Sequence, residues 1–332
     1  MKVLITGGAG FLGSSLALKL LDLGYEVTIL GRQSYPKFEK IFSCIKANIQ
    51  DLYTITKSIE GQEIVFHTAS TPGIWGDYND YYDTDVQGTK NVILACQKNK
   101  VKKLIYTSSP SVIFGQNDLE GVDEKSPYPD EYLCHYSKTK AIAEKMVVDA
   151  NGLEGLATVC IRPHLIWGPG DPHLLPRIVK RAKDKKLIRV GEGTNLVDMI
   201  YIDNAVEAHI KVLEKLEINS RVAGKCYFVS DDKPILLWDW IELVLSELNL
   251  PGITKKVSFK YAFFLGRMLE LFYKVFCIKK EPLMTKFLAT QLAKSHYFDI
   301  TQSKKDFDYK PIVTNEEGIK RLVKDYFSRQ EY

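Results

Sequence analysis

Cysteine is sparse and scattered: the six in this 332-residue chain, Cys44, Cys96, Cys134, Cys160, Cys226 and Cys277, form no CxxC pair and no histidine spacing that would make a metal site. That excludes a zinc knuckle and offers no disulfide framework, so reduced, mostly buried thiols and a cytoplasmic setting are expected. An excess of one charge sign is lacking too. With 45 basic against 41 acidic residues the formal charge is +4, too mild and too mixed along the chain for a nucleic-acid surface. No biased tract or fixed-period repeat appears, and 22 glycines and 13 prolines are ordinary for the length, which excludes collagen-like, solenoid and disordered classes. The six histidines form no cluster, so no metal is expected. What remains, at 45% hydrophobic residues, is enough apolar material for one large or two medium globular domains.

Hydrophobic periodicity divides the first part of the chain into strand and helix units in alternation. Strands are predicted at Lys2 to Thr6, Glu26 to Leu30, Cys44 to Ile49, Ile64 to Thr68, Lys103 to Ser108 and Ala157 to Ile161. Helices are predicted at Phe11 to Leu23, with Gly24 just past the end, at Val86 to Asn99 and at His135 to Asn151. Such alternation predicts an α/β fold, a doubly wound parallel sheet covered by helices on both faces. Beyond about residue 165 the pattern changes to longer loops, a basic helix at Leu174 to Lys186 and an isolated strand at Cys226 to Val229. The expected division is a sheet domain over residues 1–165, completed by about 197–215, and a smaller substrate-binding region over 166–332.

The first strand runs directly into Thr6-Gly7-Gly8-Ala9-Gly10-Phe11-Leu12-Gly13, where Gly7, Gly10 and Gly13 stand three apart and Phe11 and Leu12 open a helix. A pyrophosphate reaches backbone amides only where side chains are absent, and the positive end of the helix then faces its charge. This is the signature of a Rossmann-type dinucleotide site, although glycines at this spacing also serve simple tight turns. The second strand ends Leu30-Gly31-Arg32. A carboxylate there would accept from a ribose 2′-hydroxyl, whereas Arg32 suits a 2′-phosphate, so NADP(H) is preferred over NAD(H), the alternative. Asn48 and Ile49 are expected to flank the adenine. Thr68, Ala69 and Ser70 after the fourth strand, and Pro163 after a later one, complete the expected cofactor contacts.

The sequence starts MKVLITGG and has a lysine ahead of an apolar run, as a secretory leader does, but the glycine spacing argues for the nucleotide turn instead. Farther along, Tyr136 and Lys140 lie four apart on a predicted helix and so share a face. A phenol with an ordinary pKa of about 10 is a poor acid-base group near neutrality, and an adjacent ammonium favours its anion, so Lys140 is expected to tune Tyr136. A hydroxyl that orients the substrate oxygen is expected in Thr107-Ser108-Ser109, at the end of a predicted parallel strand. Ser109 is the choice, with Ser108 and Ser111 behind it.

Together, TGGAGFLG at Thr6 to Gly13, YTSS at Tyr106 to Ser109, YSKTK at Tyr136 to Lys140 and RPHLIWGPGD at Arg162 to Asp171 resemble the extended short-chain dehydrogenase/reductases over nearly the whole chain. Asn195-Leu196-Val197-Asp198, Tyr201-Ile202-Asp203-Asn204, Pro282 to Thr285 and Tyr309-Lys310-Pro311 resemble the 3β-hydroxysteroid dehydrogenase-like branch. Gly73-Ile74-Trp75-Gly76, Tyr81-Tyr82 and Leu165 to Asp171 look like the bacterial 2-alkyl-3-oxoalkanoate reductases of olefin biosynthesis. The resemblance implies hydride transfer between NADPH and a substrate carbonyl, with Tyr136 as proton donor and Ser109 as the oxygen's anchor. A 3β-hydroxysteroid or sterol-4-carboxylate 3-dehydrogenase is the first alternative, and a dinucleotide-binding redox sensor without catalysis the second. One departure matters: that superfamily usually begins the helix after the fourth strand Asn-Val-x-Gly-Thr, its asparagine holding a proton-relay water, and here the segment is Asp85-Val86-Gln87-Gly88-Thr89.

Trp75, Tyr81, Tyr82, His164 and Trp167 are expected in loops near the strand ends, as walls for a small hydrophobic substrate. For His164 a structural role competes with that one. The segment Tyr261 to Cys277, YAFFLGRMLELFYKVFC, predicts a broad apolar helix whose three charges make a bilayer span unsuitable. Three placements stay open for it: packed on the core or a second subunit, lining a greasy pocket, or lying in a membrane interface. Paired helices on the sheet flank point to a homodimer.

Overall fold

The computed structural model describes residues 1–329. Seven strands form one parallel sheet: β1 (Lys2–Thr6), β2 (Glu26–Gly31), β3 (Ser43–Lys46), β4 (Ile64–His67), β5 (Lys103–Thr107), β6 (Ala157–Pro163) and β7 (Cys226–Val229), in the order β7-β6-β5-β4-β1-β2-β3. The central strands are apolar on both faces because both faces are covered. Val3, Ile5, Ile29, Phe66 and Ile105 pack with Leu12, Leu16 and Leu20 of α1 (Phe11–Asp22) and with Ala205, Ala208 and Val212 of α5 (Ile202–Lys215). The alternate residues Leu4, Leu30, Val65 and Leu104 face the opposite layer, made by α2 (Leu52–Ile59), α3 (Gly88–Lys98) and α4 (His135–Asp149).

Strand order reverses between β1 and β4, and the register there aligns Thr6 with both Leu30 and His67. His67 in turn pairs with Tyr106, and Thr107 with Ile161, so the carboxyl-end halves of five neighbouring strands lie side by side. In an open parallel sheet this is the crevice where ligands bind. The helix after β4 begins earlier than Val86: a π-helical stretch, Tyr82–Gln87, precedes α3 and buries Thr84, Asp85 and Val86. Such wide turns recur at functional sites because the extra residue per turn redirects a side chain.

The C-terminal half is held by short strands of two to four residues. His296–Phe298 pairs parallel with Leu119–Val122 from the first half, and Ile200–Tyr201 pairs with Ile166–Trp167. The aromatic segment forms α6 (Phe259–Val275), capped by Ser258, whose hydroxyl accepts from Tyr261 N. Its inner face, with Ala262, Gly266 and Glu270, packs on α7 (Lys286–Ala293) and the residue before it. A Cβ at Gly266 would stand 2.6 Å from the Thr285 carbonyl carbon, so glycine sets this close approach. The outer face of α6 is exposed. No helix among the described residues is long and apolar enough to cross a membrane.

Candidate active site

The glycine turn is built by backbone that side chains would block. Gly7 has φ +70°, and a Cβ on it would stand 2.8 Å from Ala69 N; one on Gly13 would stand 2.3 Å from Gly7 O. Gly7 N donates to Leu30 O and Gly10 N to Gly7 O, which ties the turn between β1 and β2 and brings Gly10 to the start of α1. The first turn of that helix carries no acidic residue. Bare amides, the positive helix end and no competing carboxylate together fit a pyrophosphate. Phe11 is half-buried, while Leu12 points into the core.

Thr68, Ala69 and Ser70 lie beside that turn. Thr68 donates through N and Oγ1 to Thr6 O, and Ala69 N donates to Thr6 Oγ1. Arg32 is exposed at the end of β2. Next to it is a residue that sequence reading passed over: a Cβ at Gly31 would stand 2.6 Å from Tyr35 Cε2 and its hydroxyl, so an aromatic ring fills the place where an acidic side chain would project. The signal was glycine at that strand end with a tyrosine four residues later. Asn48 is exposed and bonded to Gln50, whereas Ile49 is buried under Gly88, where a Cβ would meet it at 2.6 Å. Pro163 closes β6 opposite Val229.

The segment Thr107 to Ser109 at the end of β5 engages both residues of the predicted pair. Lys140 Nζ donates to Thr107 O at 2.6 Å and sits 4.1 Å over the Tyr106 ring. Ser109 Oγ accepts from Ser111 N at 3.2 Å, and its hydroxyl acts on the Tyr136 phenol, drawing that pKa down. Ser108 is buried beside Glu144, and Ser111 is buried as well, which leaves Ser109 as the partly open hydroxyl of the three. Burial holds Lys140 down to about 8 against the pull of Asp85 and Glu144. The expectation of an acidified phenol is not met in the protein alone: burial first, then the Asp85 charge, push Tyr136 above its ordinary value.

Asp85 reaches further than its sequence position suggested. Buried on the π-helical stretch, it accepts from Ser70 Oγ at 2.8 Å and Thr71 N at 3.1 Å through Oδ1, and from Thr139 Oγ1 at 2.9 Å through Oδ2. It therefore joins the loop after β4 to the helix that carries Tyr136 and Lys140. A second, buried chain lies beneath. The Thr89 hydroxyl donates to Asp85 O, so it accepts from His67 Nε2–H, and His67 Nδ1 accepts from the Thr6 hydroxyl at 2.7 Å. Burial and the Lys140 charge hold His67 neutral, with its pKa pushed down to about 3. Nothing in the spacing of Thr6, His67 and Thr89 announces this network, because parallel pairing of β1 with β4 creates it.

Of the five expected aromatic walls, Tyr81 stands near the pair, while His164 and Trp167 are packed into the interior. Tyr81 is buried, donates to Trp75 O at 3.2 Å and contributes to the charge environment of Tyr136. Trp75 is half-buried, with Nε1 donating to Ile278 O and its ring edge-on to Tyr273. Tyr82 lies exposed against Tyr78. His164, by contrast, is enclosed by Phe114 and Phe298 and hydrogen-bonded to His296 at 2.7 Å. Trp167 is wholly buried between Tyr201 and Trp240, in a short strand instead of a loop.

Comparison with known proteins adds the following. The model of the 3-beta hydroxysteroid dehydrogenase/isomerase family matches residues 4–260. A 2-alkyl-3-oxoalkanoate reductase of Shewanella oneidensis is 42% identical over 326 residues, 96% of this chain and 84% of that protein. A decarboxylating sterol-4-alpha-carboxylate 3-dehydrogenase of Mus musculus is 33% identical over 332 residues, 98% of this chain and 91% of that protein. Among solved structures, a UDP-glucuronic acid 4-epimerase of Bacillus cereus in complex with NAD superposes with a TM-score of 0.77 over 100% of both chains at 21% identity, which is a likeness of fold.

Proposed function

This chain belongs to the 3-beta hydroxysteroid dehydrogenase/isomerase family, NAD(P)-dependent oxidoreductases of the extended short-chain type, and from that premise we propose that it reduces the 3-oxo group of a hydrophobic 2-alkyl-3-oxoalkanoate with NADPH. The observation that carries the reading is the Lys140 ammonium held on Thr107 O at 2.6 Å, at the strand end that also carries Ser109. The domain over 1–165, with residues 197–215, holds the cofactor in this proposal, and 166–332 mainly holds the substrate.

Gly7, Gly10 and Gly13 would receive the pyrophosphate, Arg32 the 2′-phosphate, and Thr68 to Ser70 the ribose side. When bound, the reduced nicotinamide supplies the hydride that the carbonyl carbon takes up. The chain's own residues supply the rest. Burial and Asp85 keep the Tyr136 phenol protonated at neutral pH, the state a reduction needs in its donor. Ser109 donates to the substrate oxygen and fixes it beside that phenol. As the oxygen gains negative charge, Tyr136 gives it the proton, and the ammonium of Lys140, pinned by Thr107 O, favours the phenolate left behind.

The mouse relative supports a second reading, since a sterol with a 3-hydroxyl and a 4-carboxylate is also a β-hydroxy acid on an apolar body. The two are separated by purified protein given NADPH with a 2-alkyl-3-oxo acid, or NAD with a 3β-hydroxysterol 4-carboxylate. NADPH consumption with the first is expected; turnover of the sterol alone would replace the proposal.

A further inference from the structure

Parallel register lines up Thr6, His67 and Tyr106 across the ends of β1, β4 and β5, with Thr6 one residue before the glycine turn. Thr6 and His67 are wholly buried. A buried imidazole needs a partner for each nitrogen, and here the partners fix its tautomer. The Thr89 hydroxyl donates to Asp85 O and so accepts from Nε2–H, which leaves Nδ1 to accept from the Thr6 hydroxyl. Thr6 Oγ1 in turn accepts from Ala69 N at 3.4 Å. Every donor therefore points the same way, from Ala69 through Thr6, His67 and Thr89 to Asp85, and bonds in such a chain polarise one another.

The two ends of the chain stand on different parts of the site. Ala69 N abuts the glycine turn, where a Cβ on Gly7 would meet it at 2.8 Å. Thr68 is tied to the same strand end through Thr6 O. At the other end, Asp85 O belongs to the wide turn Tyr82–Gln87, and the Asp85 carboxylate accepts from Thr139 of the helix that carries Tyr136 and Lys140. The imidazole also lies against the Tyr106 ring, 5.4 Å between centroids, and the Lys140 ammonium sits over that same ring at 4.1 Å. We propose that His67 is a positioning residue that holds the two halves of the site in register. Through Nδ1 it seats the Thr6–Ala69 side of the glycine turn, and through Nε2 it seats the wide turn that aims Asp85 at the helix of Tyr136 and Lys140. The inference rests on the functional reading above, in which the first half binds the dinucleotide and the second moves the proton.

Variants of nearly unchanged shape separate the two ends. Thr6→Val strands Nδ1 and Ala69 N, so binding of the reduced dinucleotide, followed by its fluorescence, should weaken about tenfold, within the range for stranding a buried hydrogen-bonding group. Single-turnover hydride transfer at saturating cofactor, with whichever of the two substrates above the wild type accepts, should stay within about threefold. Thr89→Val strands Nε2–H and frees Asp85 O, and should do the reverse: transfer slowed about tenfold, affinity held within about threefold. At position 67 itself, His67→Asn places an amide oxygen where Nδ1 stands and should follow Thr89→Val. His67→Gln places an amide nitrogen where Nε2 stands and should follow Thr6→Val. Rates and affinities are taken per folded molecule, with thermal melts run on each variant. A functioning wild type whose variants only melt earlier, or lose affinity and rate together, overturns the proposal and leaves the functional reading standing. A wild type that binds no dinucleotide, or accepts neither substrate, overturns that reading and this proposal with it.

Discussion

Replacing Asp85 by asparagine isolates a charge from a scaffold. Oδ1 of the new side chain keeps the Ser70 and Thr71 donors, and its amide faces Thr139 Oγ1, which is free to accept because its own proton can turn to His135 O or Tyr136 O, both 3.1 Å away. Folding should thus change little, with the melting temperature held within a few degrees. Electrostatics should change more. The Asp85 charge raises both Tyr136 and Lys140. At an effective dielectric of about 20, a nearby unit charge is worth about 2 kcal/mol, or between one and two pKa units. Its removal lowers both groups, so the phenol loses its proton, and Lys140 its charge, at lower pH. The whole alkaline limb of kcat/KM for NADPH-dependent reduction should move toward acid by about one to two pH units, read at constant ionic strength. In alcohol oxidation, which needs the phenolate, the acid limb should move the same way. A profile that stays in place at full activity, or moves toward alkali, refutes the coupling of Asp85 to the pair.

Arg32→Ala should reduce kcat/KM with NADPH about ten- to a hundredfold while changing NADH by less than about threefold, as expected for loss of one exposed charge-assisted contact to the 2′-phosphate; equal effects on the two cofactors would remove the specificity argument. Glu144→Ala strips the partner from buried Arg162, which donates to both carboxylate oxygens at 2.8 and 2.7 Å. That should cost about 3–5 kcal/mol in urea unfolding, with a loss below about 1 kcal/mol contradicting the pairing. Raising pH through about 8 should discharge Lys140, whose folded pKa is held down to that value by burial. Because the ordinary amine is still charged there, this group favours unfolding increasingly as pH falls below its unfolded value, and the penalty is full below about 8. Lys140→Met should therefore be more stable at neutral pH in thermal melts, and much less active; equal stability would mean that the amine is not desolvated.

The sheet was legible because its rules are local. Lys2 to Thr6 and Cys226 to Val229 emerge as strands with the expected bounds, and Phe11 to Leu23 differs from α1 by one residue at its end. Where a boundary moved, backbone geometry explains it. β3 stops at Lys46, short of Ile49, because Asn48 turns outward to Gln50 while Ile49 is drawn beneath Gly88. The helix expected to reach Lys186 ends at Lys183, with Lys185 in the left-handed region at φ 54°. The glycine turn, Ser109 and the Tyr136–Lys140 face were visible as short-range spacing. Tyr35 over Gly31 was within the same reach but was passed over, whereas the Thr6–His67–Thr89 chain and the His164–His296 pair were not legible, since strand pairing and packing bring together residues as many as 132 positions apart.

The most direct test of the account is Tyr136→Phe, which deletes one hydroxyl from a half-buried ring and leaves the glycine turn, Lys140 and Ser109 in place. Single-turnover reduction of the 2-alkyl-3-oxo acid should slow by about 10²- to 10⁴-fold, the range for loss of a general acid, with NADPH binding, followed by its fluorescence, unchanged within about threefold. A variant that binds NADPH and still reduces the substrate within a few-fold of the wild-type rate would contradict the claim that this phenol delivers the proton.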